Sequence, residues 1–269
     1  MKQLTFAIAL LFTLLAGSLA WGGSSPDDLR AAGKVRLGVF SDKPPFGFVD
    51  SNGKNQGYDV YLGKRLAQDL LGSADKAEFV LVEAASRVEF LTANKVDIIL
   101  ANFTVTPERA EVVDFTKPYM KVALGVVSPD GSVIRSVDQL KGKKLIVNKG
   151  TTAEIYFTEN HPDIELLKFD QNTETFNALK DGRGAAVAHD NTLLFAWALA
   201  NPGYTVGIDF LGNQDTIAPA VAKGNLALRQ WVDQEIEKLT REGFFKAAYD
   251  ATLKDAFGAS IDPGAVLID

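Results

Sequence analysis

The chain has 269 residues, of which 46% are hydrophobic, so it can bury one large core or two smaller ones. Its formal net charge of −6, with no basic stripe anywhere along the chain, argues against a nucleic-acid partner. The chain contains no cysteine, which excludes disulfides, cysteine nucleophiles and iron–sulfur ligation.

The first twenty residues differ from the rest of the chain. Lys2 is their only charged residue, and an apolar run of thirteen residues extends from Leu4 to Ala16. Small residues at Ser18 and Ala20 then match the two positions that an export peptidase reads. This pattern is typical of a signal peptide over residues 1–20 and is too short to span a bilayer comfortably. A buried N-terminal helix is the alternative.

The same segment leaves the question of membrane anchoring open. Leu15 to Ser18 resembles a lipoprotein box in which serine stands where the acylated cysteine should be. Either the protein is free after export, or Ser18 replaces a native cysteine. No later segment reaches about 18 uninterrupted apolar residues. We therefore expect a soluble protein in the periplasm or another extracytoplasmic space.

Beyond this segment, strand and helix patterns alternate, which predicts α/β layers. In the first half we predict strands at 34–40, 78–84 and 96–103 and helices at 57–72 and 87–95. In the second half we predict strands at 143–150, 165–170 and 185–190 and helices at 137–140, 151–162, 172–182 and 191–202. Residues 226–256 have a mostly helical pattern.

Two extended segments, 120–128 and 215–224, lie between the two halves. If both cross from one unit to the other, the chain enters a second unit and returns to complete the first. We therefore predict a first lobe over 25–124 and 219–269, a second lobe over 125–218, and a stiff hinge of two crossover strands.

The stretch that follows the predicted strand at 96–103 contains the first candidate binding residue. Pro107 suits the first turn of a helix, and Arg109 lies in that turn, where the helix dipole disfavours a cation. A bound anion would reverse this penalty, and the Thr104 hydroxyl could add a donor. The alternative is a surface arginine paired with Glu108 or Glu111.

The ends of two further predicted strands carry groups that could bind a ligand. Gly150, Thr151 and Thr152 follow a strand and open a helix whose free N–H groups could hold an anion, although many helices merely begin with threonine caps. Asp190 stands at the carboxyl end of another strand, where α/β sheets place ligands, unless it only caps the next helix. Together, an arginine with hydroxyl groups and an opposing carboxylate match a free α-amino acid.

The sequence resembles the bacterial extracellular solute-binding proteins of family 3, the amino-acid receptors of ABC importers. The resemblance covers residues 34–257 and is carried above all by TVTPERAEVVDFTKPY at 104–119, with supporting blocks such as LGVFSDKPPFGFVD, KGTTAE and AVAHDN. It implies a two-lobe clamp of the type II periplasmic-binding-protein fold. The carboxylate-binding residues that it implies are Arg109, Thr104, Thr151 and Thr152. It places the ligand ammonium on Asp190 and the backbone carbonyl of Asn102, with Phe40 lining the wall.

The side-chain pocket departs from the commoner family pattern, because Arg87 stands near the position where an aspartate is usual. This arginine resembles receptors for acidic amino acids and, over a longer match, the cysteine-binding branch. With Tyr58 or Lys43 nearby, it could favour the polarisable or partly ionised thiol of cysteine, or equally a second carboxylate. We expect cysteine, with glutamate or aspartate as the alternative.

The resemblance implies no catalytic residue, metal or cofactor, and a monomer that docks on a membrane permease. A periplasmic dehydratase of the same fold is the enzyme alternative. Such an enzyme needs a carboxyl group of raised pKa as its general acid, whereas Asp190 beside an ammonium group should be ionised. A receptor sensor domain is a third possibility, but no transmembrane pattern follows Phe257.

Overall fold

The computed structural model describes residues 23–259 and 261–268. The predicted signal peptide and the Ser18 question lie outside these residues. Within them, no helix is both long and apolar enough to cross a membrane.

Most of the described chain folds into short helices and strands. The α-helices are α1 (Pro26–Ala32), α2 (Tyr58–Leu71), α3 (Arg87–Thr92), α4 (Pro107–Val112), α5 (Thr152–Asn160), α6 (Asn172–Lys180), α7 (Asn191–Ala200), α8 (Leu226–Arg241), α9 (Phe244–Thr252) and α10 (Lys254–Phe257). The strands are β1 (Val35–Val39), β2 (Asp42–Lys43), β3 (Gly47–Val49), β4 (Asn55–Gln56), β5 (Ala77–Leu81), β6 (Ile98–Ile99), β7 (Val113–Phe115), β8 (Met120–Pro129), β9 (Lys144–Asn148), β10 (Glu165–Phe169), β11 (Ala186–Asp190), β12 (Tyr204–Ile217) and β13 (Ala220–Ala222).

Two five-stranded sheets organise the molecule into two lobes. The first sheet has the order β5-β1-β6-β13-β7, with β5, β1 and β6 parallel and β13 antiparallel to both of its neighbours. The second has the order β10-β9-β11-β8-β12, with β10, β9 and β11 parallel. We call the parts around these sheets the first and the second lobe. The predicted α/β two-lobe fold is confirmed.

The two crossings between the lobes lie side by side. Strand β8 enters the second lobe and β12 leads back to the first, and they pair antiparallel from Met120 opposite Ile217 to Pro129 opposite Tyr204. Register shifts interrupt this ladder at three points. Two hydrogen-bonded strands bend together but resist independent twisting, as the predicted hinge requires. The lobe limits at 124/125 and 218/219 stay a prediction, since β8 spans the first of them.

Three local features differ from the sequence prediction. The expected strand at 96–103 is reduced to β6, because the backbone turns at Asn102, whose φ is +44°. Helix α1 went unpredicted although Ser25 and Asp28 form a reciprocal capping box before it. The start of β12 was also missed, since its exposed outer residues lack the apolar pattern of a buried strand.

The two five-stranded sheets determine where the polar residues of the cleft lie. Buried apolar side chains cover both faces of each sheet, so polar side chains accumulate where parallel strands end. The segments after β1 and β6 in the first lobe meet those after β9 and β11 in the second.

Candidate functional site

A narrow cleft between the lobes gathers nine of the ten predicted binding residues. The lining residues are Phe40, Lys43, Ala84, Arg87, Asn102, Thr104 and Arg109 from the first lobe and Thr151, Thr152, His189 and Asp190 from the second. The cavity between them is about 10 Å³, which is about the space that one water molecule needs. An amino acid therefore enters only when the lobes separate or side chains move.

Arg109 points into this cleft rather than along the surface. Thr106 caps α4 by accepting from the Arg109 backbone N–H, which fixes the start of the helix. The Arg109 guanidinium donates to the carbonyl oxygens of Thr104 at 2.7 Å and of Gly150, in the opposite lobe, at 2.8 Å. Burial lowers the pKa of Arg109 to about 10, so it stays charged at neutral pH. A surface pairing with Glu108 or Glu111 is not what the structure shows.

Arg87 lies beside Arg109, at the first residue of α3. Its guanidinium donates to the carbonyls of Ala84, Ala101 and Gly150 at 2.9, 3.1 and 3.1 Å. Burial, and then repulsion from Arg109, hold the pKa of Arg87 well below the usual arginine value. The Phe103 ring lies under both cations, with its centroid 4.3 Å from Arg87 Cζ and 4.8 Å from Arg109 Cζ.

The carbonyl of Gly150 joins the two lobes, since it accepts from both arginines. Gly150 has φ of +71°, and a Cβ atom there would lie 2.5 Å from Ala85 Cα of the first lobe. A glycine is therefore required both for the backbone conformation and for close approach. The following Thr151 hydroxyl donates to Asn148 O and accepts from Glu154 N, so it is engaged in capping α5.

On the other side of the cleft, Lys43 and Asp190 form an ion pair between the lobes. Lys43 Nζ lies 2.7 Å from Asp190 Oδ2 and 2.6 Å from Asn102 Oδ1. Burial opposes ionisation of Asp190, but the Lys43 ammonium outweighs it and holds the pKa of Asp190 well below its usual value. Asp190 precedes α7 but its side chain makes no capping hydrogen bond to the described residues. Its carboxylate thus lines the cleft, where Lys43 is its partner.

The next residue along, His189, is neutral in this setting. Its Nδ1 accepts from the Asp190 backbone N–H at 2.7 Å, and burial together with Lys43 lowers the pKa of the imidazole. His189 also lines the cleft, a position that was not predicted from the sequence.

A buried network behind Asn102 also went unpredicted. The Asn102 backbone N–H donates to Asp59 Oδ2 at 2.8 Å, and Tyr119 Oη donates to Asp59 Oδ1 at 2.6 Å. Burial raises the pKa of Asp59 to about 7 against the opposing effect of these bonds. This network holds Asn102 in its positive-φ conformation. The one sequence signal was a carboxylate in the first turn of an otherwise apolar helix face.

Tyr58 is the predicted residue that the structure places away from the cleft. Its ring packs 5.9 Å from that of Tyr119, and its hydroxyl is buried without a hydrogen-bond partner among the described residues. Phe40 forms part of the cleft wall. The centroid of its ring lies 5.3 Å from Lys43 Nζ and 5.6 Å from Arg87 Cζ.

A second contact between the lobes lies outside the cleft. Asp42 accepts from the Asn172 side chain at 3.0 Å and from the Thr173 backbone N–H at 2.9 Å. Both donors belong to the first turn of α6, where a negative charge is favoured by the helix dipole.

The arrangement is suited to a zwitterion. Two guanidinium groups face a carboxylate across a cleft that both lobes close. The described residues contain no cluster of side chains able to hold a metal ion.

Comparison with known proteins identifies the family. The profile of bacterial extracellular solute-binding proteins, family 3, matches residues 35–254. The chain belongs to this family, as the resemblance in its sequence predicted. It therefore belongs among proteins that act outside the cytoplasm as the binding components of importers.

Two solved structures are highly similar. The solute receptor for L-cysteine of Neisseria gonorrhoeae is 59% identical, with a TM-score of 0.90, covering 91% of this chain and 100% of the other. The cysteine-binding protein of Campylobacter jejuni has the same identity and TM-score and covers 91% and 98%. The ABC transporter glutamine-binding protein of Bacillus subtilis (strain 168) is 33% identical over 227 residues, 82% of each chain.

Proposed function

We propose that this chain is the receptor of an ABC importer and that it binds L-cysteine between its two lobes. The observation that carries the proposal is the opposition of Arg87 and Arg109 to Asp190 across a closed cleft. The identity of 59% to two cysteine receptors supports the choice of amino acid.

The ligand carboxylate binds to Arg109, with Thr104, Thr151 and Thr152 as further donors. A guanidinium holds a carboxylate through two parallel hydrogen bonds, and the first N–H groups of α5 add to the positive potential. Because the Thr151 hydroxyl already caps α5, its backbone N–H and the neighbouring Thr152 are the groups left for this role.

The ligand ammonium binds to Asp190, assisted by Asn102. Since Lys43 lies on the same carboxylate oxygen at 2.7 Å, the incoming ammonium shares Asp190 with it or displaces it. The side chain of the ligand then points towards Arg87, Lys43 and Phe40. Tyr58 is too deeply packed to contact the ligand directly and supports the wall from behind.

Ligand binding is coupled to closure because each lobe supplies only part of the site. The carboxylate partners come from both lobes, and so do the groups around Asp190. A ligand that contacts both lobes stabilises the closed form over the open one by its differential affinity. The Gly150 carbonyl and the contact of Asp42 with α6 define how closely the lobes approach.

Glutamate or aspartate is the runner-up ligand, because a second carboxylate would also suit Arg87. A dehydratase is disfavoured by its need for a general acid in the cleft. Asp190 is held ionised by Lys43, whereas Asp59, with its raised pKa, is fully buried behind Asn102 and does not line the cleft.

The proposal extends to the setting of the protein. We infer export through the signal peptide at 1–20, action as a monomer, and docking on a membrane permease through both lobe surfaces. A lipid anchor would require a cysteine in place of Ser18.

The test is calorimetric titration of unfolded, ligand-stripped and refolded protein. L-Cysteine under a reductant is compared with L-glutamate, L-aspartate and L-glutamine. We expect tight saturable binding of cysteine, which Arg109→Lys abolishes and the exposed Arg241→Lys leaves unchanged. Binding of the dicarboxylates alone would transfer the assignment to the runner-up, and no binding of any amino acid would refute the receptor function.

A further inference from the structure

The ionised side chains that line the cleft do not balance. Lys43, Arg87 and Arg109 are cationic, Asp190 is the one carboxylate among the described lining residues, and His189 is neutral. The formal charge of this lining is therefore +2. An amino acid of zero net charge would leave that excess in place when the lobes close over it.

The excess positive charge belongs to the guanidinium groups of Arg87 and Arg109. Arg87 is 3% exposed and Arg109 is 8% exposed, and neither forms an ion pair with any residue in 23–259 or 261–268. Among the described residues, both guanidinium groups donate to neutral carbonyl groups, and they share the carbonyl of Gly150. Two adjacent buried cations without counter-ions are costly. Asp190 cannot relieve them, since it is paired with Lys43.

Groups behind the lining reduce this positive excess to an extent set by their own ionisation. Asp59 is buried behind Asn102 and its pKa is raised to about 7, so it is partly ionised at neutral pH. When Asp59 is ionised the local sum is +1, and when it is protonated the sum is +2. Asp215, half-buried on β12, faces Arg109 from the hinge side, and its pKa is raised by burial and by Asp190. If Asp215 is ionised as well, the sum is +1 while Asp59 is protonated and 0 when Asp59 is ionised. The lining therefore lacks a negative charge beside Arg87 as long as Asp59 keeps its proton.

Resting on the proposed function, we propose that the cleft binds its ligand as a net anion, and that L-cysteine binds as the thiolate. The α-carboxylate lies on Arg109, and the sulfur lies between Arg87 and Lys43. The thiol S–H bond breaks on binding, its proton passes to the solvent buffer, and the electron pair stays on sulfur. No oxidant or other co-reactant takes part.

This inference is tested by ultraviolet difference spectroscopy at neutral pH, because a thiolate has an absorption band that a thiol lacks. The chain has no cysteine, so a thiolate band that grows with added L-cysteine comes from the ligand. Burial raises the pKa of both Tyr58 and Tyr119, so these phenols stay neutral and add no competing band. We expect one thiolate per protein at saturation. The net proton release should lie between about half a proton and one proton per cysteine bound, because the bound anion favours protonation of Asp59, which is about half-ionised at pH 7.

Affinity should also rise with pH. If only the thiolate binds, and the free thiol has a pKa near 8.5, the competent fraction of cysteine grows about 75-fold from pH 6 to pH 8. Ionisation of Asp59 over the same range opposes anion binding. The affinity is therefore expressed relative to that of L-aspartate, an anion throughout this range, measured by displacement of cysteine.

Two variants of Arg87 test whether this residue is the cation that binds the thiolate. Arg87→Gln removes the cation and should lose both the thiolate band and most of the affinity, whereas Arg87→Lys keeps the charge and should retain the band. L-Serine, equal in shape but not ionisable here, should bind at least about 100-fold more weakly than cysteine if the anion is required.

The outcomes separate this inference from the proposed function. Saturable cysteine binding with a thiolate band supports both. Saturable binding with neither a band nor proton release overturns the thiolate and leaves the cysteine receptor standing. Failure of cysteine to bind at any pH overturns both.

Discussion

Nζ of Lys43 in the first lobe lies 2.7 Å from Oδ2 of Asp190 in the second, and both side chains are about 95% or more buried. The two residues are 147 positions apart in sequence. If Asp190 binds the ligand ammonium as proposed, this ion pair links ligand binding to the closure of the lobes.

We expect removal of either charge of this ion pair to destabilise the folded protein. Lys43→Met or Asp190→Asn leaves one buried charge unpaired and should lower the free energy of unfolding by about 3–5 kcal/mol. The double variant should recover most of that loss, because neither charge of the pair is then left buried without its partner. Urea unfolding of the four proteins measures the coupling. Lys246→Met, which breaks an exposed pair with Asp250, is the control and should cost well under about 1 kcal/mol. Additive losses in the double variant would show that the two charges do not interact.

Closure of the two lobes should require that residue 150 has no side chain. Gly150→Ala places a Cβ atom 2.5 Å from Ala85 Cα in the other lobe, so we expect the lobes to stay apart and ligand affinity to fall at least about 100-fold. Gly182→Ala is a matched control, since its φ of +68° gives the same backbone penalty, while no atom of the described residues lies within 4 Å of the new Cβ. Calorimetric titration with L-cysteine measures the affinity of each variant, and small-angle scattering measures its radius of gyration. Equal affinity in both variants would contradict the role of this contact.

The contact of Asp42 with α6 should slow ligand release. Asp42→Ala removes two hydrogen bonds and a negative charge at a helix N-terminus, so the closed form loses stabilisation and the dissociation rate should rise by about five- to thirtyfold. Stopped-flow displacement measures this rate. Asp170→Ala breaks an exposed pair within the second lobe and should leave the rate unchanged. An unchanged rate in Asp42→Ala would mean that this contact does not hold the lobes together.

The buried Asp59 should impose a pH dependence on stability. Its pKa is about 7 when folded and near 3.8 when unfolded, so between these values the unfolded chain has lost a proton that the folded chain keeps. Stability therefore declines as pH rises through this window, by up to about 4 kcal/mol in total. Relative to Asp59→Asn, the wild-type free energy of unfolding should fall from pH 4 to pH 7. A difference that stays constant with pH would refute the assignment.

The sequence predicted the parts of this structure that depend on local pattern. Strand and helix alternation gave the layers, and the rule that ligands meet strand ends pointed to Arg109 and Asp190. The pairing of Lys43 with Asp190 could not be predicted, because it depends on how two lobes meet. The short β6 was missed for a different reason: the positive φ of Asn102 is enforced by Asp59, which is distant in sequence.

Tyr58 shows the limit of transferring a role by position. A tyrosine at the start of α2 can face the cleft or the core, and the choice depends on space that the neighbouring Tyr119 occupies. Thr151 shows a subtler limit, since its hydroxyl caps a helix while its backbone remains free for a ligand. Side-chain identity alone does not reveal which of its groups is available.

The central claim is that an amino acid binds between the lobes with its carboxylate on Arg109 and its ammonium on Asp190. A crystal structure of the refolded protein with L-cysteine tests it most directly. We predict ligand density in the cleft, a carboxylate within hydrogen-bond distance of the Arg109 guanidinium, an ammonium on Asp190, and the sulfur beside Arg87. Closed lobes with cysteine bound elsewhere, or with its carboxylate and ammonium in reversed positions, would contradict the account.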